Sequence, residues 1–151
     1  MPAIDTNTIK EIRDATGASI MMIKRALTEA EGDKVQALEV LRRLGHDAAA
    51  KKEGRETMAG RIAAYVHAGD KVGVLIELRS ETDFVSRNDE FGALGRNVAM
   101  HVAAMKPLTV EELMLQPYVR DEKQTIGDLV KKASAAFGER IEIKQFVRYE
   151  L

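Results

Sequence analysis

The sequence predicts an α+β fold in two parts: a three-helix N-terminal module, followed by an antiparallel three-stranded sheet with packed helices. Apolar residues recur every three or four positions as far as Leu44, which is typical of amphipathic helices. Between residues 62 and 78 they alternate instead, which is typical of strands. A helical period returns after Asn88, and a last strand is predicted from Ile141.

Local capping chemistry predicts the bounds of the three N-terminal helices. Asp5 or Thr6 can cap the first helix, and Gly17 can end it in the left-handed conformation. Ser19 can cap the second helix and Asp33 the third. The predicted apolar stripes of the three helices consist of Ile9, Ile12, Ile20, Ile23, Leu27, Ala30, Leu38 and Leu41.

Residues 48–60 are predicted to link the helical module, residues 1–47, to a core domain of residues 61–151. The stretch combines alanines with charges of alternating sign, which indicates a helical or flexible linker. Three short helices form a small core, near the lower limit for independent folding. We therefore expect the module to bind a partner rather than to catalyse a reaction.

The core domain is predicted to begin with a β-hairpin. Ile62 and Val66 mark the first strand, Val72 and Leu78 mark the second, and Gly69 lies in the turn between them. Two such alternating runs across a short glycine-containing loop are the usual sequence pattern of a hairpin.

Helices and a last strand complete the predicted core. A helix begins near Asn88 and ends before Pro107, and Thr109 begins a short helix in the pattern of a capping box. Residues 116–119 are predicted to be extended, and residues 125–136 to form an amphipathic helix that ends before Gly138. The apolar stripe of the first of these helices is predicted to consist of Phe91, Leu94, Val98, Val102 and Met105.

Composition excludes several classes of function. The chain has 23 basic and 24 acidic residues, so it lacks the basic excess of a broad nucleic-acid surface. The absence of cysteine excludes disulfides and thiolate chemistry. The sequence shows neither a signal-peptide pattern nor the run of about 20 apolar residues that spans a bilayer. We expect a cytoplasmic protein with no direct nucleic-acid or membrane partner.

No conventional active site is visible in the sequence. A glycine-rich phosphate loop, a nucleophile elbow and a His-Glu-x-x-His pattern are all absent. His46, His67 and His101 are widely spaced, with no carboxylate at ligand spacing. We therefore expect no metal site, no cofactor and no enzymatic activity.

The segment most suggestive of function is residues 80–88, at the predicted boundary between a strand and a helix. Phe84 could be an ordinary core residue, with Ser86 or Asn88 serving only as a helix cap, and physical reasoning slightly favours this interpretation. Alternatively, a turn projects Asp83 and Phe84 outward, as an aromatic anchor with a charge beside it. Anchors of that kind dominate protein interfaces.

Three further residues allow both an ordinary and a functional interpretation. Met21 lies off the apolar stripe of the second helix, so it either fills an irregular core or forms an adaptable partner surface. Arg13 is most simply a solvated side chain beside the stripe of the first helix. His101 lies on a helix stripe, where most histidines are core residues with satisfied hydrogen bonds.

Five segments, in the same order along the chain, resemble elongation factor Ts. Residues 16–27 resemble the N-terminal signature of that family, and residues 81–88 resemble its second signature. Residues 99–107, 116–119 and 138–151 are similar to later family motifs. Each motif alone is moderate evidence, but together they cover nearly the whole chain.

This resemblance implies a guanine-nucleotide exchange factor. Such a factor binds elongation factor Tu in its GDP-bound and nucleotide-free forms, displaces Mg²⁺, and promotes GDP release and GTP loading without covalent chemistry. The resemblance also implies a ubiquitin-associated-like fold for the helical module and a Ts dimerisation-type core. The alternative is a module that binds Tu, or another protein, without exchange activity.

Motif positions also imply roles for individual residues. The segment that dislodges Mg²⁺ from Tu corresponds to Thr82, Asp83, Phe84 and Val85. The contacts to Tu correspond to Arg13, Ile20, Met21, Lys24 and His101. The first four of these would belong to docking by the helical module.

The chain departs from the family pattern in two respects. Ser19, Ile20, Met22 and Ile23 replace the usual residues of the N-terminal signature, which affects the detail of docking. Residues 114–116 also lead directly into the last motifs, where the family has a protruding helical segment. The chain therefore resembles a shortened, single-core form of the factor, and such forms imply a homodimer.

Overall fold

A computed structural model describes residues 4–151, except for the side chains of residues 46–51. The described part contains these elements: α1 (Thr6–Thr16), α2 (Ile20–Glu29), α3 (Lys34–Lys52), β1 (Ala59–Val66), β2 (Val72–Ser80), α4 (Asp83–Ser86), α5 (Asp89–Met105), α6 (Val110–Leu115), β3 (Pro117–Tyr118), β4 (Asp121–Thr125), α7 (Ile126–Phe137) and β5 (Glu142–Glu150). Three helices followed by an antiparallel sheet with helices confirm the predicted α+β class.

The elements belong to two compact units. One unit contains α1 to α3, as far as Glu53, together with Lys131–Gly138. The other consists of Gly54–Val130 and Glu139–Leu151, and it contains the main sheet. Helix α3 continues to Lys52, so the first part of the segment predicted as a linker is helical.

The predicted caps of the helical unit are present. Asp5 accepts a hydrogen bond from the backbone N–H of Asn7, and Gly17, with a φ of 69°, follows α1. Ser19 caps α2, and the Asp33 carboxylate accepts from the N–H of Gln36, the third residue of α3. Each of these side chains bonds a backbone N–H that the first helical turn leaves unpaired.

The core of the helical unit follows the predicted stripes with one exception. Ile12 and Ile23 are fully buried, and Leu27 is 1% exposed. Ile9 and Met22 pack against this cluster. Ile20 was predicted to join the stripe, but as the first residue of α2 it is 44% exposed.

The main sheet has the strand order β1-β2-β5, and both pairs are antiparallel. In the centre of the sheet Leu75 lies between Ala64 on β1 and Val147 on β5. The register shifts by one residue between Glu77 and Leu78, where a bulge interrupts the β2–β5 ladder. The predicted hairpin and last strand are therefore confirmed.

Helix α5 covers one face of this sheet. Val98 and Val102 are fully buried, and Val74 is 3% exposed. The approach is close at Gly95, where a Cβ would lie 2.7 Å from the Cβ of Ala63. Side chains of the opposite face remain exposed: Ile62, Val66, Leu75, Val147 and Tyr149.

Some local features differ from the sequence prediction. The segment after β2 forms a one-turn helix, α4, and β3 pairs with β4 in a small hairpin. Strand β4 is entirely polar, so it has no apolar alternation that would predict a strand. Met105 was expected on the buried stripe of α5, but it is 44% exposed at the end of the helix.

Candidate partner-binding site

Helix α4 is held at the end of β2 by local hydrogen bonds. The Thr82 hydroxyl oxygen accepts from the N–H of Val85 at 3.4 Å and so caps the turn. The fully buried Ser80 hydroxyl donates to the Thr82 carbonyl at 2.9 Å, and the Ser86 hydroxyl donates to the Asp83 carbonyl at 3.1 Å. These bonds fix the backbone where the strand turns into the helix.

The α4 turn divides its side chains between the core and solvent. Val85 and Ser86 are buried, while Thr82 and Asp83 are exposed. Phe84 is 89% exposed, although the transfer of a phenyl ring out of water is favourable. The interpretation of Phe84 as a core residue is therefore wrong, and the outward-facing alternative describes the structure.

A second set of hydrogen bonds reaches this loop from a distant part of the chain. The Glu139 carboxylate accepts from the N–H groups of Glu81 and Thr82 at 3.1 and 3.0 Å, and from the Thr82 hydroxyl at 2.7 Å. In return, the Glu81 carboxylate accepts from the N–H of Arg140 at 2.8 Å. Glu139 is not among the residues predicted from the sequence, because no local pattern marks a contact across 57 residues.

Charged side chains of both signs surround Asp83. A shallow cleft beside it is lined by Arg61, Arg87 and Asp89, together with Gly60 and Ser86. The Arg61 guanidinium donates to the Asn88 carbonyl at 3.4 Å, so it lies beside the first turn of α5. Phe84 is thus an apolar side chain next to a polar, mixed-charge surface.

The helical unit exposes the four residues that the resemblance assigns to docking. Met21 is 83% exposed and Ile20 is 44% exposed, both in the first turn of α2. Lys24 follows one turn later, and Arg13 lies in the last turn of α1; both side chains are exposed. The Met21 side chain is therefore not a core filler.

His101 differs from the other predicted contact residues because it is fully buried. Its Nδ1 accepts from the N–H of Val119 at 3.1 Å, so Nε2 carries the proton and donates to the Gln116 side-chain oxygen at 2.9 Å. Burial lowers the pKa of His101 below its ordinary value of 6.5. In this structure the imidazole is unavailable for a direct contact with a partner.

The family model described as "Elongation factor TS" matches residues 6–114, which include α1 to α5 and all but the last residue of α6. The chain belongs to the elongation factor Ts family. This family comprises translation elongation factors, so the chain is assigned to protein biosynthesis.

Curated relatives of this family match nearly the whole chain. Elongation factor Ts of Fervidobacterium nodosum is 38% identical over 193 residues, which cover 98% of both chains. The factor of Thermosipho melanesiensis is 38% identical over 191 residues, covering 97% of both. The factor of Trichlorobacter lovleyi is 44% identical over 147 residues, which cover 97% of this chain but 47% of the relative.

The lengths of these alignments agree with a shortened Ts chain. The match to the Fervidobacterium factor extends over 193 positions, whereas this chain has 151 residues. The relative therefore contains stretches that have no counterpart here.

Among the residues that the structure describes, no helix has the length and apolarity needed to cross a membrane.

Proposed function

We propose that this Ts chain is a guanine-nucleotide exchange factor for elongation factor Tu. It binds Tu-GDP, displaces Mg²⁺ from the nucleotide site and promotes GDP release and GTP loading, without covalent chemistry. The observation that carries the proposal is Phe84, which is 89% exposed on a turn fixed by hydrogen bonds. An exposed aromatic on a rigid support is suited to entering a pocket of a partner.

The driving force for exchange is the burial of Phe84 in Tu. An aromatic side chain buries about 150–250 Å² when it is enclosed. Because Val85 and Ser86 anchor the turn from the opposite side, Phe84 enters the partner without first becoming ordered. The favourable free energy of burying Phe84 stabilises a Tu conformation in which the nucleotide site is disturbed.

The release of GDP follows from negative coupling between two ligands of Tu. A factor that lowers the affinity for nucleotide is itself bound more weakly when nucleotide returns, because coupling is reciprocal. Mg²⁺ holds phosphate oxygens, so its displacement weakens the binding of GDP. In this proposal Thr82, Asp83, Phe84 and Val85 form the displacing segment, and Asp83 contacts the displaced region rather than the ion.

Docking on Tu is assigned to the helical unit. Met21 and Ile20 supply exposed apolar surface, and Arg13 and Lys24 supply positive charge beside it. For His101 we propose an indirect role, because its side chain is buried. It holds the segment that carries Val119, which is 41% exposed.

We also propose that two copies associate through the exposed face of the main sheet. This face carries Leu75 on the central strand, with Val147 beside it and Tyr149 71% exposed on the same edge strand. A two-fold axis brings the same apolar face of each copy together, and sheets pack face to face in this way. The resemblance of this chain to shortened Ts forms implies a homodimer, so we assign a second copy of the chain to this face.

Stopped-flow fluorescence tests the function directly. Tu loaded with a fluorescent GDP is mixed with this protein and excess unlabelled GDP, and acceleration of the fluorescence decay is the expected result. The alternative is a module that binds Tu, or another protein, without exchange. The shortened chain favours this alternative. Binding of this protein to Tu without faster release of GDP would establish it.

A further inference from the structure

We propose that Glu139 is a positioning residue, which fixes the backbone of Glu81 and Thr82 and thereby directs Phe84 outward. Its effect on nucleotide exchange rests on the proposed function, whereas its effect on the loop does not. Glu139 lies directly after Gly138, whose φ of 71° ends α7, and 57 residues beyond Thr82. Glu139 lies within residues 138–151, which are similar to a family motif, but that similarity implies no role for its side chain.

Three donors of the loop converge on the Glu139 carboxylate. One oxygen accepts both backbone N–H groups, and the other accepts the Thr82 hydroxyl proton. Hydrogen bonds to a carboxylate are stronger than those between neutral groups. Because the hydroxyl proton points to Glu139, the Thr82 oxygen presents its lone pairs to the N–H of Val85. The carboxylate therefore orients the cap of α4.

A reciprocal bond makes this contact a two-point clamp. The Glu81 carboxylate accepts from the N–H of Arg140 and from the Arg55 guanidinium. Each side of the contact therefore supplies a carboxylate and a backbone donor. Two separated points prevent the loop from rotating about either one, which a single hydrogen bond would not do. The fixed backbone at Thr82 therefore also fixes the direction in which Phe84, two residues further along the chain, points.

Glu139→Ala and Glu139→Gln separate the parts of the clamp. The alanine variant loses both acceptor oxygens and therefore all three hydrogen bonds, whereas glutamine retains an oxygen for the two N–H groups. Glu122→Ala, which removes an exposed carboxylate from β4, is the control for net charge. Amide hydrogen exchange is measured by NMR. The amides of Glu81 and Thr82 are expected to lose protection in the alanine variant and to keep most of it in the glutamine variant. Their protection is expected to be unchanged in the control.

GDP release from Tu supplies the second measurement. Glu139→Ala is expected to slow stimulated release by about tenfold, whereas Glu139→Gln is expected to keep most of the rate. The melting temperature of each variant shows whether it remains folded. In a Phe84→Ala background the Glu139→Ala change is expected to add nothing, because both act through the same side chain. Should the alanine variant fail to fold, Thr82→Val is compared in the same way; it removes the hydroxyl that donates to Glu139 and accepts from the N–H of Val85, and it keeps the two backbone donors to Glu139.

The outcomes separate this proposal from the proposed function. Unchanged amide protection in Glu139→Ala would overturn the clamp, and an equal effect with and without Phe84 would overturn its action through that side chain. If the unmodified protein does not accelerate GDP release, the exchange function fails. The clamp is then judged by amide protection and by whether Glu139→Ala weakens binding to Tu through Phe84.

Discussion

Phe84 and Val85 are neighbours in the chain, yet Phe84 is 89% exposed and Val85 is 5% exposed. The one-turn helix α4 causes this difference, because successive residues of a helix point in directions about 100° apart. A strand would also separate the two side chains, but its backbone would not be closed by a cap at Thr82. The turn therefore presents an aromatic ring while its neighbour holds the support in place.

Replacement of this aromatic ring tests the exchange function. We expect Phe84→Ala to slow factor-stimulated GDP release from Tu by tens-fold or more, since loss of a buried interface anchor costs about 2–4 kcal/mol. The fold is expected to persist, because the side chain makes little contact within the chain. Stopped-flow fluorescence gives the rate, and thermal unfolding confirms that the melting temperature is unchanged.

The matched control for this variant is Met58→Ala, which truncates a side chain that is 76% exposed in the same unit. It is expected to leave the rate of GDP release unchanged. Full stimulation by Phe84→Ala would remove the aromatic ring from the mechanism. An equal loss in both variants would show that exposed apolar area, rather than the position of Phe84, determines the rate.

Docking by the helical unit is expected to affect affinity rather than the maximal rate. Met21→Ala should raise the concentration of factor needed for half-maximal GDP release by about tenfold, because Met21 is assigned to docking and not to the segment that displaces Mg²⁺. A titration of stimulated release against factor concentration measures both quantities. Val35→Ala, a truncation of a 77% exposed side chain on α3, is the control. A lower maximal rate with unchanged half-saturation would contradict this division of roles.

The sequence predicted features that depend on neighbouring residues. Ser19 caps α2 as expected, because capping involves a side chain and an N–H only three residues apart. Strand β4 was missed, since its polar sequence shows no alternation and it depends on pairing with β3. The contact between Glu139 and Thr82 and the bonds of His101 were missed for the same reason. They join residues that come together only in the folded chain.

The proposed dimer is expected to depend on the exposed sheet face. Leu75→Glu places a charge at the centre of this face, where association would bury it without a partner. Light scattering is expected to give a dimer for the unmodified chain and about half that mass for the variant. Leu115→Glu, at a 78% exposed position of α6, is the control and should remain dimeric. A monomeric mass for the unmodified chain, both alone and with Tu, would overturn the dimer.

The stability of the fold is expected to depend on pH through His101. Burial lowers the pKa of His101 in the folded chain, whereas in the unfolded chain it stays near the ordinary 6.5. When the pH falls below 6.5, the unfolded chain binds a proton that the folded chain does not. The free energy of unfolding therefore falls as the pH decreases towards the folded pKa, by at most about 1.4 kcal/mol per pH unit. At pH values well above 6.5 this contribution is constant, because the imidazole is then neutral in both states.

Urea unfolding at pH 7.5 and pH 5.5, roughly one unit on either side of the ordinary imidazole pKa, measures this effect. His101→Gln removes the titrating group and is expected to flatten the dependence, even though its stability at pH 7.5 is lower. The Arg79 hydrogen bond lowers the pKa of Glu77, and the Arg148 hydrogen bond that of Glu150, so both carboxylates titrate below 4.5 and outside this interval. His67→Ala, which removes an exposed imidazole, is the control. If His101→Gln keeps the full pH dependence, another group is responsible and the buried neutral imidazole is not the cause.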